Sequence, residues 1–156
     1  MSTISDKPPV LVVGGGIGGL STALALSRKG IPVQVLEQAA EFKEIGAGIQ
    51  LGPNVFRMFE VLGLTEAIFR WAAFPEALEM RDSITGETVV EVRIDNLYQK
   101  YHAPYGVIHR ADLLDRIHDA CRGSNLIELV PSRKVVSIED SGSGVTVHVE
   151  SGQTSS

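Results

Sequence analysis

With 156 residues, 44% of them hydrophobic and 21% charged, the chain is long enough for one domain with a buried core and too apolar to be disordered. Its net charge of −5 argues against nucleic acid as a general partner, and no Lys- or Arg-rich run suggests a membrane surface. Cys121, the single cysteine, excludes an internal disulfide, and the chain has neither a secretory signal nor an apolar run of the ~18 residues a membrane span requires, so a cytoplasmic protein is expected.

Residues 1–9 are polar and read as a flexible start. Val10-Leu11-Val12-Val13 is a continuous apolar run, expected as a parallel strand buried on both faces. A glycine cluster follows, then a helix over Leu20–Lys29, with Leu20, Ala23, Leu24 and Leu26 as its apolar stripe and Gly30 as its stop. Ile31–Leu36 reads as the second strand, so strand, helix and strand make a βαβ unit. Residues 45–52 are glycine-rich. Pro53 opens a helix with Val55, Phe56, Phe59 and Leu62 on one face and Gly63 at its end, and a short helix covers Thr65–Trp71. Hairpins are expected from Leu78–Ile84 with Thr88–Ile94, and from Arg133–Glu139 with Val145–Glu150. Between them lie a polar loop (Asn96–Pro104), a strand (Tyr105–Ile108), a helix (Asp112–Cys121) with Leu113, Leu114 and Ile117 inward, and a strand (Leu126–Val130). Phe56, Phe59, Phe69, Trp71 and Cys121 are assigned to the core.

The central motif is Gly14-Gly15-Gly16-Ile17-Gly18-Gly19, in which Gly14, Gly16 and Gly19 satisfy G-x-G-x-x-G. The three glycines serve different ends. Gly14 allows a tight turn, Gly16 the close approach of a diphosphate to backbone, and Gly19 the close packing of helix on strand. The helix N-terminus beyond them offers free N–H groups and a positive dipole end. Gly15, Ile17 and Gly18 complete that loop. Glu37 ends the second strand eighteen residues after Gly19, where a carboxylate accepts from both hydroxyls of an adenosine ribose and repels a 2′-phosphate. Gln38, beside it, is counted with the same site. A glycine-rich turn without a ligand and a plain surface carboxylate at Glu37 are the competing readings. The fingerprint serves FAD and NAD alike, because both contain ADP.

Three segments resolve that ambiguity by resemblance: Val10 to Glu37; Glu44-Ile45-Gly46-Ala47-Gly48-Ile49-Gln50-Leu51-Gly52-Pro53-Asn54; and His109-Arg110-Ala111-Asp112-Leu113-Leu114. Together they resemble the single-component FAD-dependent aromatic hydroxylases, a family of flavoprotein monooxygenases. The resemblance implies an α/β architecture, an FAD-binding Rossmann-like βαβ fold with inserted β-hairpins over residues 10–150. It implies FAD as cofactor and NADH or NADPH as transient reductant. The partners it implies are O2 and a small aromatic substrate, a phenolic aromatic acid such as 3-hydroxybenzoate or salicylate, hydroxylated through a flavin C4a-hydroperoxide. Neither nucleic acid nor membrane is expected as a partner, and a homodimer is the oligomer the family suggests.

By the same resemblance, Gly14 to Gly19 hold the diphosphate and Glu37 the ribose. Ala47, Gly48 and Gln50 lie near the flavin and its ribityl chain, and Arg110 reaches the cofactor from the start of the helix that includes Asp112–Cys121. The residue chemistry agrees. Gly46 and Gly48 permit backbone approach to a ring, Gln50 donates and accepts, and Arg110 offers a charged donor fork. A simple loop over residues 46–52, and a salt bridge from Arg110 to Asp112 or Asp115, are the plainer alternatives.

The family continues with an Asp-Gly motif, a substrate-binding sheet and a Gly-Asp motif that this sequence lacks, so the fold is expected to be incomplete at the C-terminus. The chain reads as a fragment or a truncated gene product with residues 151–156 as its tail, and no catalytic residue is named. His102, His109, His118 and His148 are scattered without ligand spacing, so no metal site is expected. An inactive ADP-binding module, or another flavin or NAD-dependent oxidoreductase, is the alternative function.

Overall fold

A computed structural model describes residues 8–43 and 46–150. Residues 1–7 of the expected flexible start, Glu44 and Ile45 of the second matched segment, and the expected tail at 151–156 lie outside the described residues. In chain order the elements are β1 (Val10–Val13), α1 (Ile17–Ser27), β2 (Val33–Leu36), β3 (Gly48–Leu51), α2 (Pro53–Leu62), α3 (Thr65–Phe69) and β4 (Ala77–Arg81). They continue with β5 (Thr88–Arg93), α4 (Leu97–Tyr101), β6 (Gly106–His109), α5 (Arg110–Arg122), β7 (Ile127–Val130), β8 (Val135–Asp140) and β9 (Val145–Val149). They divide into two compact units, one drawn from residues up to 44 and from 117 onward, the other from residues 45–116.

The first unit is built on a parallel sheet of order β1-β2-β7. Val10 pairs with Val33 and Val33 with Ile127, in unbroken register to Val13, Leu36 and Val130. Parallel pairing requires a crossover, and α1 supplies the one between β1 and β2. Its Leu20, Ala23 and Leu24 are buried, as their spacing predicts, and Val33, Val35 and Leu36 of β2 are buried with them. The helix starts at Ile17, earlier than its apolar stripe, because glycines leave no stripe to read. Gly30 closes the turn after it with φ +75°, a conformation glycine adopts at no steric cost. At the end of α5, Ile117 and Cys121 are fully buried, and the Cys121 thiol donates to the Leu20 carbonyl at 3.4 Å. That burial pushes the thiol pKa up to about 11. The second predicted hairpin is present as β8–β9, paired from Val135↔Val149 to Asp140↔Val145.

The expectation that β1 is buried on both faces is corrected. Among the described residues β1 pairs with β2 alone, so it is an edge strand, and Val10 and Val13 are 41% and 52% exposed. An apolar run reports that a strand is suited to burial on two sides, not that both neighbours are present.

In the second unit β3 and β6 pair antiparallel, Gly48↔His109 through Leu51↔Gly106. Ile49, Leu51 and Ile108 turn to the apolar side, while Gly48 and Gln50 are exposed. Sequence reading takes residues 45–52 as irregular, because only Ile49 and Leu51 alternate and the partner strand is far away in the chain. Helix α2 matches its prediction, with Pro53 at its first turn and Gly63 at φ +66° as its cap. Its buried face is Phe56, Phe59 and Leu62, each contributing about 1.5–3 kcal/mol on burial. Phe56 is the hub of an aromatic cluster, edge-on to Phe59 and Phe69 at 5.8 and 5.5 Å and 5.8 Å from Phe74. Phe69 and Trp71 nevertheless remain 41% and 50% exposed, which corrects their core assignment. The Arg116 guanidinium covers the Trp71 ring at 4.9 Å.

The hairpin β4–β5 is turned by Asp82, whose carboxylate accepts from the N–H groups of Ile84 and Thr85 at 2.8 and 2.7 Å. Those bonds, Thr85 first, hold its pKa below the usual carboxylate range. The predicted loop at Asn96–Pro104 contains α4, a single turn that ends on His102 at φ +53°. Five residues are too few for a readable period, so the segment registers in the sequence only as polar.

Candidate functional site

The first unit brings the glycine motif and Glu37 together at the carboxyl ends of β1 and β2, where open parallel sheets place their ligands. Gly14 leaves β1 at φ +99°, and its N–H bonds the Leu36 carbonyl at 2.8 Å. Gly16 caps α1 with extended backbone, and a Cβ built on it meets nothing within 4 Å; the same holds for Gly18. Both therefore present bare backbone to open space at a helix N-terminus. A Cβ on Gly19 would stand 1.9 Å from the Gly14 carbonyl oxygen, which is the close packing the third glycine permits. The first turn of α1, all of it described, carries no acidic side chain to compete with a bound anion.

Glu37 is held by the backbone. One carboxylate oxygen accepts from Gly15 N–H at 2.5 Å, the other from Ala39 N–H at 2.8 Å. Each oxygen keeps a lone pair for a further donor, so the group is oriented yet still able to receive a diol. Glu37 and Gln38 line a cavity of about 200 Å³ with Gly14, Arg133 and Lys134. The Arg133 N–H donates to the Glu37 carbonyl at 2.7 Å, which stitches the start of β8 to the end of β2. The cavity is thus lined by one acidic and two basic residues, Lys134 being ion-paired with Glu150 at 3.1 Å.

The second unit assembles the other predicted group. Ala47 precedes β3, and its carbonyl accepts from Arg110 N–H at 3.2 Å. A Cβ on Gly46 would lie 3.3 Å from the Arg110 Cδ, so the arginine stem runs along the bare backbone of Gly46. Gly48, Gln50 and His109 share the exposed face of the β3–β6 pair. Ala47, Gly48, Gln50 and Arg110 are therefore neighbours, brought together by strand pairing. His109, which has no metal-ligand spacing in the sequence, stands opposite Gly48 in the register.

Sequence reading passed over Phe42, Arg133 and Lys134. Phe42 lies in the turn after β2, and its ring fills the space over Gly15. Arg133 and Lys134 reach the cavity because β7 pairs with β2, which no local pattern reports. Among the described residues no group of three His, Cys, Asp or Glu side chains is arranged to hold a metal ion, and no helix is long and apolar enough to cross a membrane.

Comparison with known proteins points to one family. A family model described as FAD binding domain matches residues 7–156. The chain is 42% identical over 153 residues to a 3-hydroxybenzoate 6-hydroxylase of Polaromonas naphthalenivorans strain CJ2, covering 96% of the chain and 38% of that protein. A 3-hydroxybenzoate 6-hydroxylase of Klebsiella oxytoca is 41% identical over 145 residues, covering 92% of the chain and 36% of that protein. Among solved structures, Klebsiella pneumoniae HpxO complexed with FAD and uric acid superposes with a TM-score of 0.80 at 29% identity, over 93% of this chain and 36% of that one. The chain thus spans a little over a third of the length of the curated relatives it matches.

Proposed function

Because the chain belongs to the FAD binding domain family, we propose that it holds the ADP half of FAD within an NAD(P)H-dependent monooxygenase that hydroxylates a phenolic aromatic acid. The observation that carries the reading is the bare, outward-facing backbone of Gly16 and Gly18 beside an oriented Glu37 carboxylate. The diphosphate takes the free N–H groups at the start of α1, and the ribose diol donates to Glu37. The cavity with Gln38, Arg133 and Lys134 takes the adenine. Ala47, Gly48, Gln50 and Arg110 are assigned to the flavin and its ribityl chain, Arg110 as the charged donor.

When bound, the flavin supplies the electrons and the oxygen chemistry; this chain binds and orients it. The relatives named 3-hydroxybenzoate 6-hydroxylase support a hydroxybenzoate as substrate, with O2 as co-substrate and NADH or NADPH as reductant. A homodimer in the cytoplasm is the expected assembly.

The test is to reconstitute the protein with FAD, remove the excess, and record the visible flavin absorption of the parent and of Glu37→Arg. Bound flavin in the parent that is lost from the variant supports the assignment. Folded parent protein that stays colourless refutes it.

A further inference from the structure

We propose that Phe42 is a positioning residue for the adenosine end of the site, covering the Gly15 turn so that Glu37 stays aimed at the ribose; the inference rests on the reading of Glu37 given above.

Gly15 occupies a variable position of the motif, and its φ is not among the positive values of this backbone. Conformation therefore does not demand glycine there; the neighbour does. A Cβ on Gly15 would stand 2.3 and 2.4 Å from Cε1 and Cδ1 of Phe42. The ring sits where a side chain would otherwise project, and Gly15 is buried while Gly16 and Gly18 after it are exposed. The ring also packs against His118, with centroids 5.1 Å apart and planes 33° apart.

What this packing protects is the bond from Gly15 N–H to Glu37 at 2.5 Å, since the Glu37 Cβ lies only 3.1 Å from the same built Cβ position. An apolar ring at that spot keeps water from competing for a charge-assisted hydrogen bond and strengthens it. The second donor to Glu37, Ala39 N–H, lies in the bend over residues 38–41 that immediately precedes Phe42. Anchoring the ring therefore steadies both donors that orient the carboxylate.

The test compares the affinities of ADP and 2′,3′-dideoxy-ADP for the full chain, measured by calorimetry. Two hydrogen bonds from the diol to a carboxylate predict that the parent prefers ADP on the order of tenfold to a hundredfold. Phe42→Ala is expected to lower that preference to within about threefold while binding of the dideoxy nucleotide changes little, because the diphosphate contacts are untouched. Gly15→Ala reads the same contact from the other side. It displaces the ring and is expected to lower the preference equally, with Phe42→Ala adding nothing further in that background. The inference is overturned if either single variant keeps the parent's preference, or if binding of both nucleotides falls together in Phe42→Ala, which a merely structural role would produce. A parent without any preference overturns the ribose reading of Glu37 and this inference with it.

Discussion

Replacing Gly19, Gly16 and Gly18 one at a time by alanine should separate packing from binding, because the added Cβ is blocked at the first and unhindered at the other two. On Gly19 it would stand 1.9 Å from the Gly14 carbonyl oxygen, and real Cβ contacts stay beyond 3.0 Å, so helix and strand must part by about 1.1 Å. The obstacle is backbone, which cannot rotate aside as a side chain can. Overpacking of a tight core costs about 1–3 kcal/mol, and this case belongs at or above the upper end. A loss of about 3 kcal/mol is a large share of the roughly 5–15 kcal/mol that holds a domain together. On Gly16 the Cβ points into open space from ordinary extended backbone, so Gly16→Ala should leave stability unchanged. The same methyl occupies the approach path of a diphosphate, and FAD affinity should fall more than about tenfold, as 1.4 kcal/mol of lost contact implies. On Gly18, inside the motif but outside its fixed positions, the Cβ is also unhindered and lies within α1, so stability should rise by up to about 1 kcal/mol. Urea denaturation of the cofactor-free protein reads the first quantity and FAD titration the second. A stable Gly19→Ala, or a Gly16→Ala that binds FAD as the parent does, would refute the reasoning.

Gly14→Ala forces a side chain into φ +99° and should cost about 1–3 kcal/mol in the same denaturation assay, although nothing blocks the methyl sterically. Glu37→Gln keeps the shape of the side chain but removes the charge, so FAD should dissociate faster, and repulsion of a 2′-phosphate should disappear in a competition assay with 2′-phospho-ADP. The Cys121 thiol has its folded pKa raised from 9.0 to about 11, so the folded state holds its proton where the unfolded state releases it. Its contribution to stability is complete below pH 9.0 and is lost as pH rises toward about 11; denaturation midpoints of the parent should fall over that window more than those of Cys121→Ala. Native protein should also resist thiol-alkylating reagents near neutral pH and react on unfolding.

Local order was the most legible part of this chain. The βαβ unit, helix α2 with its proline start and glycine stop, and both hairpins each rest on a period or a turn residue that a few neighbouring positions supply. The glycine motif was legible for the same reason: what it demands is backbone conformation and clearance, and Gly14, Gly16 and Gly19 meet those demands in the predicted order. Strand β3 and helix α4 escaped because each carries too few periodic positions to stand out. The exposure of Val10 and Val13 depends on what lies beside the strand, not on the strand itself.

Sequence alone therefore determined the ADP-binding fingerprint, the acidic residue that follows it and the family to which the chain belongs. Tertiary structure decided the rest of the site. Pairing of β7 with β2 carries Arg133 and Lys134 to the cavity beside Glu37, and pairing of β3 with β6 makes neighbours of Gly48, Gln50 and Arg110. The fold also lays the Phe42 ring over Gly15. A fingerprint is a local constraint on backbone conformation, readable one turn at a time. A pocket wall is assembled from residues distant in sequence, and strand register alone sets which of them meet.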